Sequence, residues 1–183
     1  MDPKKQKIAE AAHRLFLRHG FRKVTISDIA EACEMSRPSL YAAFANKEAV
    51  LGDLVNRQRE ELAIETAKRL QRKKNLKDRL EIIFGTWILE PFASVIDSEN
   101  AIELLSMCAS YVPDAIGDLY AHFERQLLEV LEPEMKGRRS LTAADLAHIM
   151  ALATKGLKTS SASLAELRRM TDGLIAMALS AVR

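Results

Sequence analysis

Only two cysteines occur in the 183 residues, Cys33 and Cys108, and they stand far apart with no C-x-x-C and no histidine at ligand spacing. That excludes a disulfide framework and a zinc site. Aromatic residues are few, with a single tryptophan, while Leu, Ala, Glu, Lys and Arg are plentiful, a balance that favours an all-helical protein. Glycine and proline are sparse as well, and they fall where helix ends are expected. No apolar run is long: the stretch from Gly173 to Val182 falls well short of the roughly 20 residues a membrane span needs. The N-terminus is charged and has no apolar core of the secretory kind. The expectation is a cytosolic protein with no membrane partner. No Ser/His/Asp pattern, glycine-rich phosphate loop or metal cluster stands out, so an enzyme built on a helical bundle is the weaker reading and no cofactor or metal is expected.

What is present becomes informative once the charge is divided. The formal net charge is only +2, but residues 1–47 carry nine Lys and Arg against five Asp and Glu, leaving 18 against 20 for the rest. Positive charge is gathered in the first quarter of the chain, as phosphate binding requires. The length suits one small module plus one larger helical domain.

The stretch from Thr25 to Lys47, TISDIAEACEMSRPSLYAAFANK, holds two short helices with almost nothing between them. Thr25 and Asp28 form a T-x-x-D capping box for the first, with Ile29, Ala32 and Cys33 on one face. Glu34 and Met35 leave room only for a sharp turn. Ser36 caps the second helix, Pro38 fits its first turn, and Leu40, Tyr41 and Phe44 form its anchoring face. Asn46 caps the next helix at Lys47. Two helices joined this tightly, the second opening with Arg37, Ser39 and Tyr41, have the geometry that inserts a recognition helix into the major groove.

The segment from about Ile8 to Leu51 resembles the N-terminal domain of TetR-type bacterial transcriptional regulators. The match rests on IAEAAHRLFLRHGFRKVTISDIA and MSRPSLYAAFANKEAVL, above all Phe16, Gly20, Phe21, Thr25, Ile29, Ala30, Ser36, Leu40, Tyr41, Phe44, Lys47 and Leu51. It covers about a quarter of the chain. The resemblance implies an all-α protein: a three-helix helix-turn-helix domain over residues 1–50, then a helical effector-binding and dimerisation domain over 51–183. It implies a homodimer on a pseudo-palindromic double-stranded operator, most often a repressor, released by a small-molecule effector. A helix-turn-helix kept for protein assembly is the remaining alternative.

Taken in order, the first helix runs from about Pro3 to His19, with Ile8, Ala12, Leu15 and Phe16 inward and Gly20 just past its end. Lys4, Lys5, Lys7 and Arg14 form either a solvated face or, for Lys4 and Lys5, a flexible arm near phosphate. Arg22 and Lys23 flank the site. A fourth helix from Lys47 to about Lys73 is the longest and links the two domains. A fifth carries Leu76, Leu80, Ile83, Phe84 and Trp87 and is expected to stop at Pro91. A sixth, capped by Asp97 or Ser98, ends at Pro113, and a seventh spans about Asp114 to Leu131. A basic loop follows at Gly137, Arg138 and Arg139. Capping boxes at Thr142/Asp145 and Ser163/Glu166 open the last two helices.

Site residues follow from both lines of reasoning. For DNA, Thr25, Ser36 and Lys47 would meet the backbone, as would Tyr41, unless it is a core aromatic. Arg37 would grip guanine O6 and N7 or else bind phosphate alone, with Ser39 adding a contact and Pro38 or Ala42 touching a thymine methyl. Ala42 and Ala43 stand where the family often has longer side chains, so specificity would lean on methyl contacts and DNA deformability. The resemblance places a small-molecule effector pocket among helices five to eight, and an apolar lining there would favour an apolar or aromatic effector. Phe84, Trp87, Cys108, Tyr111, Tyr120, Phe123, His148 and Met150 are its candidates, each alternatively a core residue. It also pairs the last two helices with those of a second subunit. Leu146, Ile149, Ala153, Leu157, Leu167, Leu174, Ile175 and Ala178 would form that interface, or else an internal core, and Gly156 and Gly173 would let backbones approach closely.

Overall fold

The structure, a computed structural model, describes residues 2–98, 100–136 and 140–182. The expected loop of Gly137, Arg138 and Arg139 lies outside them. Every regular element among the described residues is helical. In order these are α1 (Pro3–His19), α2 (Ile26–Ala32), α3 (Arg37–Tyr41), α4 (Lys47–Leu70), α5 (Leu76–Phe84), a π-helical turn (Gly85–Leu89), α6 (Glu90–Ala93), α7 (Ala101–Tyr111), α8 (Pro113–Leu131), a 3₁₀ turn (Glu132–Glu134), α9 (Ala143–Ser160) and α10 (Leu164–Val182). No helix among the described residues is long and apolar enough to cross a membrane.

The chain forms two compact units. One holds the residues up to Arg59 together with Val95–Leu119; the other holds Glu60–Ser94 and the chain from Tyr120 on. Helix α4 runs through the division, as a mechanical link between domains would.

In the first unit Ile8, Ala12, Phe16, Ile29, Leu40 and Val50 are wholly buried. Their spacing on α1 is the helical stripe that the sequence displays, and each large side chain so buried contributes about 1.5–3 kcal/mol. Phe16 and Phe21 meet edge to face at 5.0 Å, closing the α1–α2 corner. Asp2 caps α1 through Lys4 N–H at 2.9 Å, with Pro3 in the first turn. Lys4 and Lys5 therefore sit on a formed helix and not on a flexible arm.

In the second unit Leu80, Ile83, Phe84, Trp87, Phe123 and Leu127 form the centre of the core. The helix expected to stop at Pro91 continues through it. Proline inside a helix lacks the N–H and its ring crowds the carbonyl four residues back. Here the preceding turn is widened to π geometry, with Glu90 N–H bonded to Gly85 O, and Pro91 enters α6 at its first positions. Asn100, not Asp97 or Ser98, occupies the cap position of α7, and Pro113 opens α8 instead of merely ending α7. The Thr142/Asp145 box is complete. At Ser163 it is altered: Ser163 Oγ accepts from Glu166 N–H at 3.2 Å, while the Glu166 carboxylate reaches Ala162 N–H at 2.9 Å.

Candidate nucleic-acid interface

Each residue of the reading head is set by local chemistry. The Thr25 hydroxyl accepts from Asp28 N–H at 3.3 Å, and the Asp28 carboxylate accepts from Thr25 N–H at 2.7 Å, fixing where α2 begins. Those bonds to the Thr25 backbone and hydroxyl hold the exposed Asp28 carboxyl below its ordinary range. At the other end of α2, Met35 N–H bonds to Ala30 O and Glu34 N–H to Glu31 O, both at 2.9 Å. This is a Schellman closure with Glu34 in the left-handed region, φ 55. It turns the chain within two residues. Ser36 then caps α3, accepting from Ser39 N–H at 3.3 Å.

Leu40 and Phe44 are buried and anchor α3. That leaves Ser36, Arg37, Pro38, Tyr41 and Ala42 exposed together, with Ser39 half-buried among them. Tyr41 is 54% exposed, so it is not a core aromatic. A planar guanidinium, two small apolar groups and a phenol thus share one solvent face of a helix held from beneath by apolar contacts.

Lys47 is placed differently. Its ammonium points into the head, donating to Phe21 O at 2.9 Å, Arg22 O at 3.3 Å and Val24 O at 3.1 Å, and it lies 4.5 Å from the Phe21 ring centroid. Three donors meet three carbonyls, so the α1–α2 loop occupies the group expected to meet phosphate. Lys5 Nζ lies 5.4 Å from the Phe44 ring centroid, bringing a cation of α1 beside the C-terminal end of α3. Arg22 and Lys23 are exposed on the loop before Thr25.

The effector candidates divide. Phe84, Trp87 and Phe123 pack together in the second unit: Phe84 meets Phe123 at right angles, 5.4 Å between centroids, and Trp87 lies 6.3 Å from Phe123. Met150 is buried in that unit. Tyr120 is half-buried there, its burial pushing the phenol up to about 12, and Lys155 Nζ lies 5.7 Å from its ring. His148 is exposed and meets Glu124 at 3.2 Å. Cys108 and Tyr111 belong to the first unit, where Tyr111, 49% exposed, lies 5.4 Å from Phe21. Thr66, which the sequence did not single out, accepts from the Trp87 indole at 2.8 Å, and His122, read from the sequence as a surface or satisfied histidine, stacks on the same ring at 5.2 Å.

Of the interface candidates, Leu146, Leu167, Ile175 and Ala178 are buried within the subunit, and Ala153, Leu157 and Leu174 are half-buried. Ile149 stands 52% exposed, joined by Leu152 at 57% on α9 and Met177 at 63% on α10. Leu152 and Met177 carried no sequence signal, because apolar residues fall on several sides of these helices and not on one stripe. Among the described residues, nothing beyond the adjoining residues and the nearby backbone of their own helices lies within 4 Å of a Cβ built at Gly156 or Gly173.

Residues 8–54 match the family described as "Bacterial regulatory proteins, tetR family". The HTH-type transcriptional repressor ComR of Escherichia coli (strain K12) is 28% identical over 111 residues, 60% of this chain and 51% of that protein. The chain spans about half or less of the curated relatives it matches. Among solved structures, the fatty acid degradation regulator FadR from Bacillus halodurans covers 96% of both chains with a TM-score of 0.75 at 18% identity. Thermus thermophilus FadR, a TetR-family repressor in complex with lauroyl-CoA, covers 96% of this chain and 93% of its own, with a TM-score of 0.66 at 20% identity. At such identities the likeness is one of fold, and the fold is that of all-helical regulators with an N-terminal helix-turn-helix.

Proposed function

We propose that this chain, whose residues 8–54 belong to the TetR family of bacterial regulatory proteins, is a cytoplasmic sequence-specific DNA-binding transcriptional repressor. It acts as a homodimer on a pseudo-palindromic operator and is released by a small-molecule effector. One observation carries the reading: the exposed face of α3, with Arg37, Pro38, Tyr41 and Ala42 outward over buried Leu40 and Phe44. Arg37 reads guanine through O6 and N7, Pro38 and Ala42 meet thymine methyls, and Ser39 adds a contact. Tyr41, Ser36 and Thr25 meet the backbone. The DNA-reading domain is taken as residues 1–50 and the effector and dimerisation domain as 51–183.

The aromatic group around Trp87 supports an apolar or aromatic effector. Release works by population shift: an effector that prefers the DNA-incompetent arrangement weakens operator affinity by the same factor as the operator weakens effector binding. Lauroyl-CoA, held by the Thermus protein, is a reasonable first probe for the effector site.

The test is selection of bound duplexes from a random pool, followed by titration against salt. A two-fold motif bound far more tightly than background is the expected result. Binding without a motif, falling steeply with salt on every duplex, would leave only the electrostatic component and sink the regulator reading. On the selected operator Arg37→Ala should cost about 1–3 kcal/mol and relax one position of the motif, with unfolding unchanged. Lys47→Met should instead lower the melting temperature and weaken all duplexes alike, because it strips three carbonyls of their donor. A drop of about one in the salt slope without loss of stability would return Lys47 to phosphate contact.

A further inference from the structure

The loop on which the reading head turns is held by side chains about eighty positions further along the chain. Leu17 O, near the C-terminal end of α1, accepts from Ser98 Oγ at 2.8 Å and from Asn100 Nδ2 at 2.9 Å. Glu103 Oε1 accepts from Arg22 N–H at 3.2 Å. The other oxygen, Glu103 Oε2, would stand 2.7 Å from any Cβ placed on Gly20, which has φ 84. Gly20 thus serves two needs: it adopts a backbone that side chains avoid, and it leaves the space that the carboxylate fills. All these residues lie within one compact unit.

The Arg22 peptide is consequently gripped from two sides. Its N–H goes to Glu103 and its carbonyl to Lys47 Nζ, which also binds the carbonyls of Phe21 and Val24. Thr25, directly after Val24, is the N-cap of α2. These bonds hold the main chain just before α2 begins, and α3 follows α2 after a two-residue turn.

We infer that Glu103 is a positioning residue for DNA reading, acting through the Arg22 peptide and the start of α2 without touching nucleic acid. The inference rests on the DNA-binding reading above. A carboxylate suits the place because an ionised acceptor strengthens a bond to a backbone N–H and fixes its direction, and here one carboxylate oxygen meets Arg22 N–H while the other lies against Gly20. Glu103 is half-buried and adds little to the core, while Phe16 and Phe21 close the α1–α2 corner independently. Its loss should therefore cost aim more than stability.

The experiment uses the full chain and the operator selected from random duplexes. Glu103→Ala is expected to lower specific affinity about tenfold, the scale of one charge-assisted hydrogen bond. Affinity for an unrelated duplex and the melting temperature should stay near those of the unaltered protein. Hydrogen exchange of the amides from Phe21 to Val24 should quicken. Glu103→Gln, which keeps an acceptor oxygen in place, should restore most of the operator affinity. Faster exchange with unchanged operator affinity would overturn the inference and leave the DNA reading standing. Equal losses on operator and unrelated duplex, together with a lower melting temperature, would overturn it too, by making Glu103 merely structural. If the unaltered protein selects no motif, the DNA reading itself falls and this inference falls with it.

Discussion

Glu34 occupies a conformation that glycine takes at little cost and that a glutamate takes only under constraint. Its φ of 55 is imposed by the Schellman bonds from Met35 and Glu34 to α2. The side chain is exposed and, among the described residues, makes no hydrogen bond or ion pair that would favour it there. Glu34→Gly should therefore stabilise the protein by about 0.5–1 kcal/mol, the left-handed penalty less the entropy that glycine adds to the unfolded chain. Denaturant unfolding checks this, and a loss of stability would mean that the carboxylate is held by something other than the turn. Single residues were legible in the sequence where their role is local. The caps at Thr25, Ser36, Asn46 and Thr142 each need only a partner three positions on. Glu34 was not legible in this way, since nothing in a glutamate announces a left-handed turn. Nor was the inward course of Lys47, which depends on three carbonyls that only the folded loop brings together.

At the scale of elements, the segment from Leu76 to Ala93 is one helical run interrupted by a wider turn. Periodicity gave its inward residues correctly, but Pro91 read as a stop because a regular α-helix cannot hold it. The π turn removes that conflict, and it also carries Trp87, whose indole N–H reaches Thr66 on α4. The Thr66 hydroxyl in turn donates to Leu62 O at 2.7 Å, so one buried hydroxyl satisfies a donor and an acceptor at once. Thr66→Val conserves shape while leaving the indole N–H buried without a partner. It should cost about 1–3 kcal/mol, read by denaturant unfolding and by a shift in tryptophan fluorescence. A change under about 0.5 kcal/mol would mean that the widened turn relaxes to give Trp87 another acceptor. Such pairings join elements distant in sequence, and no spacing rule reaches them. The Ser163 cap shows the same limit on a smaller scale: Glu166 was expected at Ser163 N–H and takes Ala162 N–H.

For the whole molecule, the decisive property is a surface that one chain leaves uncovered. Helices α9 and α10 pack on each other and bury Leu146, Met150, Leu167, Ile175 and Ala178 between them and the rest of their unit. They leave Ile149, Leu152 and Met177 more than half exposed, with glycine at 156 and 173 offering room for close approach. The composition of these helices made it legible that they would be apolar on several sides. Which apolar residues face inward and which outward was not legible, because both sets are built from the same side chains. In a two-fold dimer each face meets its own copy, so a single substitution enters the interface twice. Leu152→Lys and Met177→Lys should each leave the helical circular dichroism intact, since these side chains are outside the subunit core. Each would bury unpaired ammonium groups in a dimer, at a cost of about 3 kcal/mol or more, which raises the dimer dissociation constant over a hundredfold. Sedimentation velocity at micromolar protein should then find monomers, where the proposed dimer is expected of the unaltered chain. Operator affinity should fall with it, since a monomer places one head on a two-fold site. A variant that stays dimeric and binds its operator undiminished would move the interface elsewhere and leave this apolar face without its proposed partner.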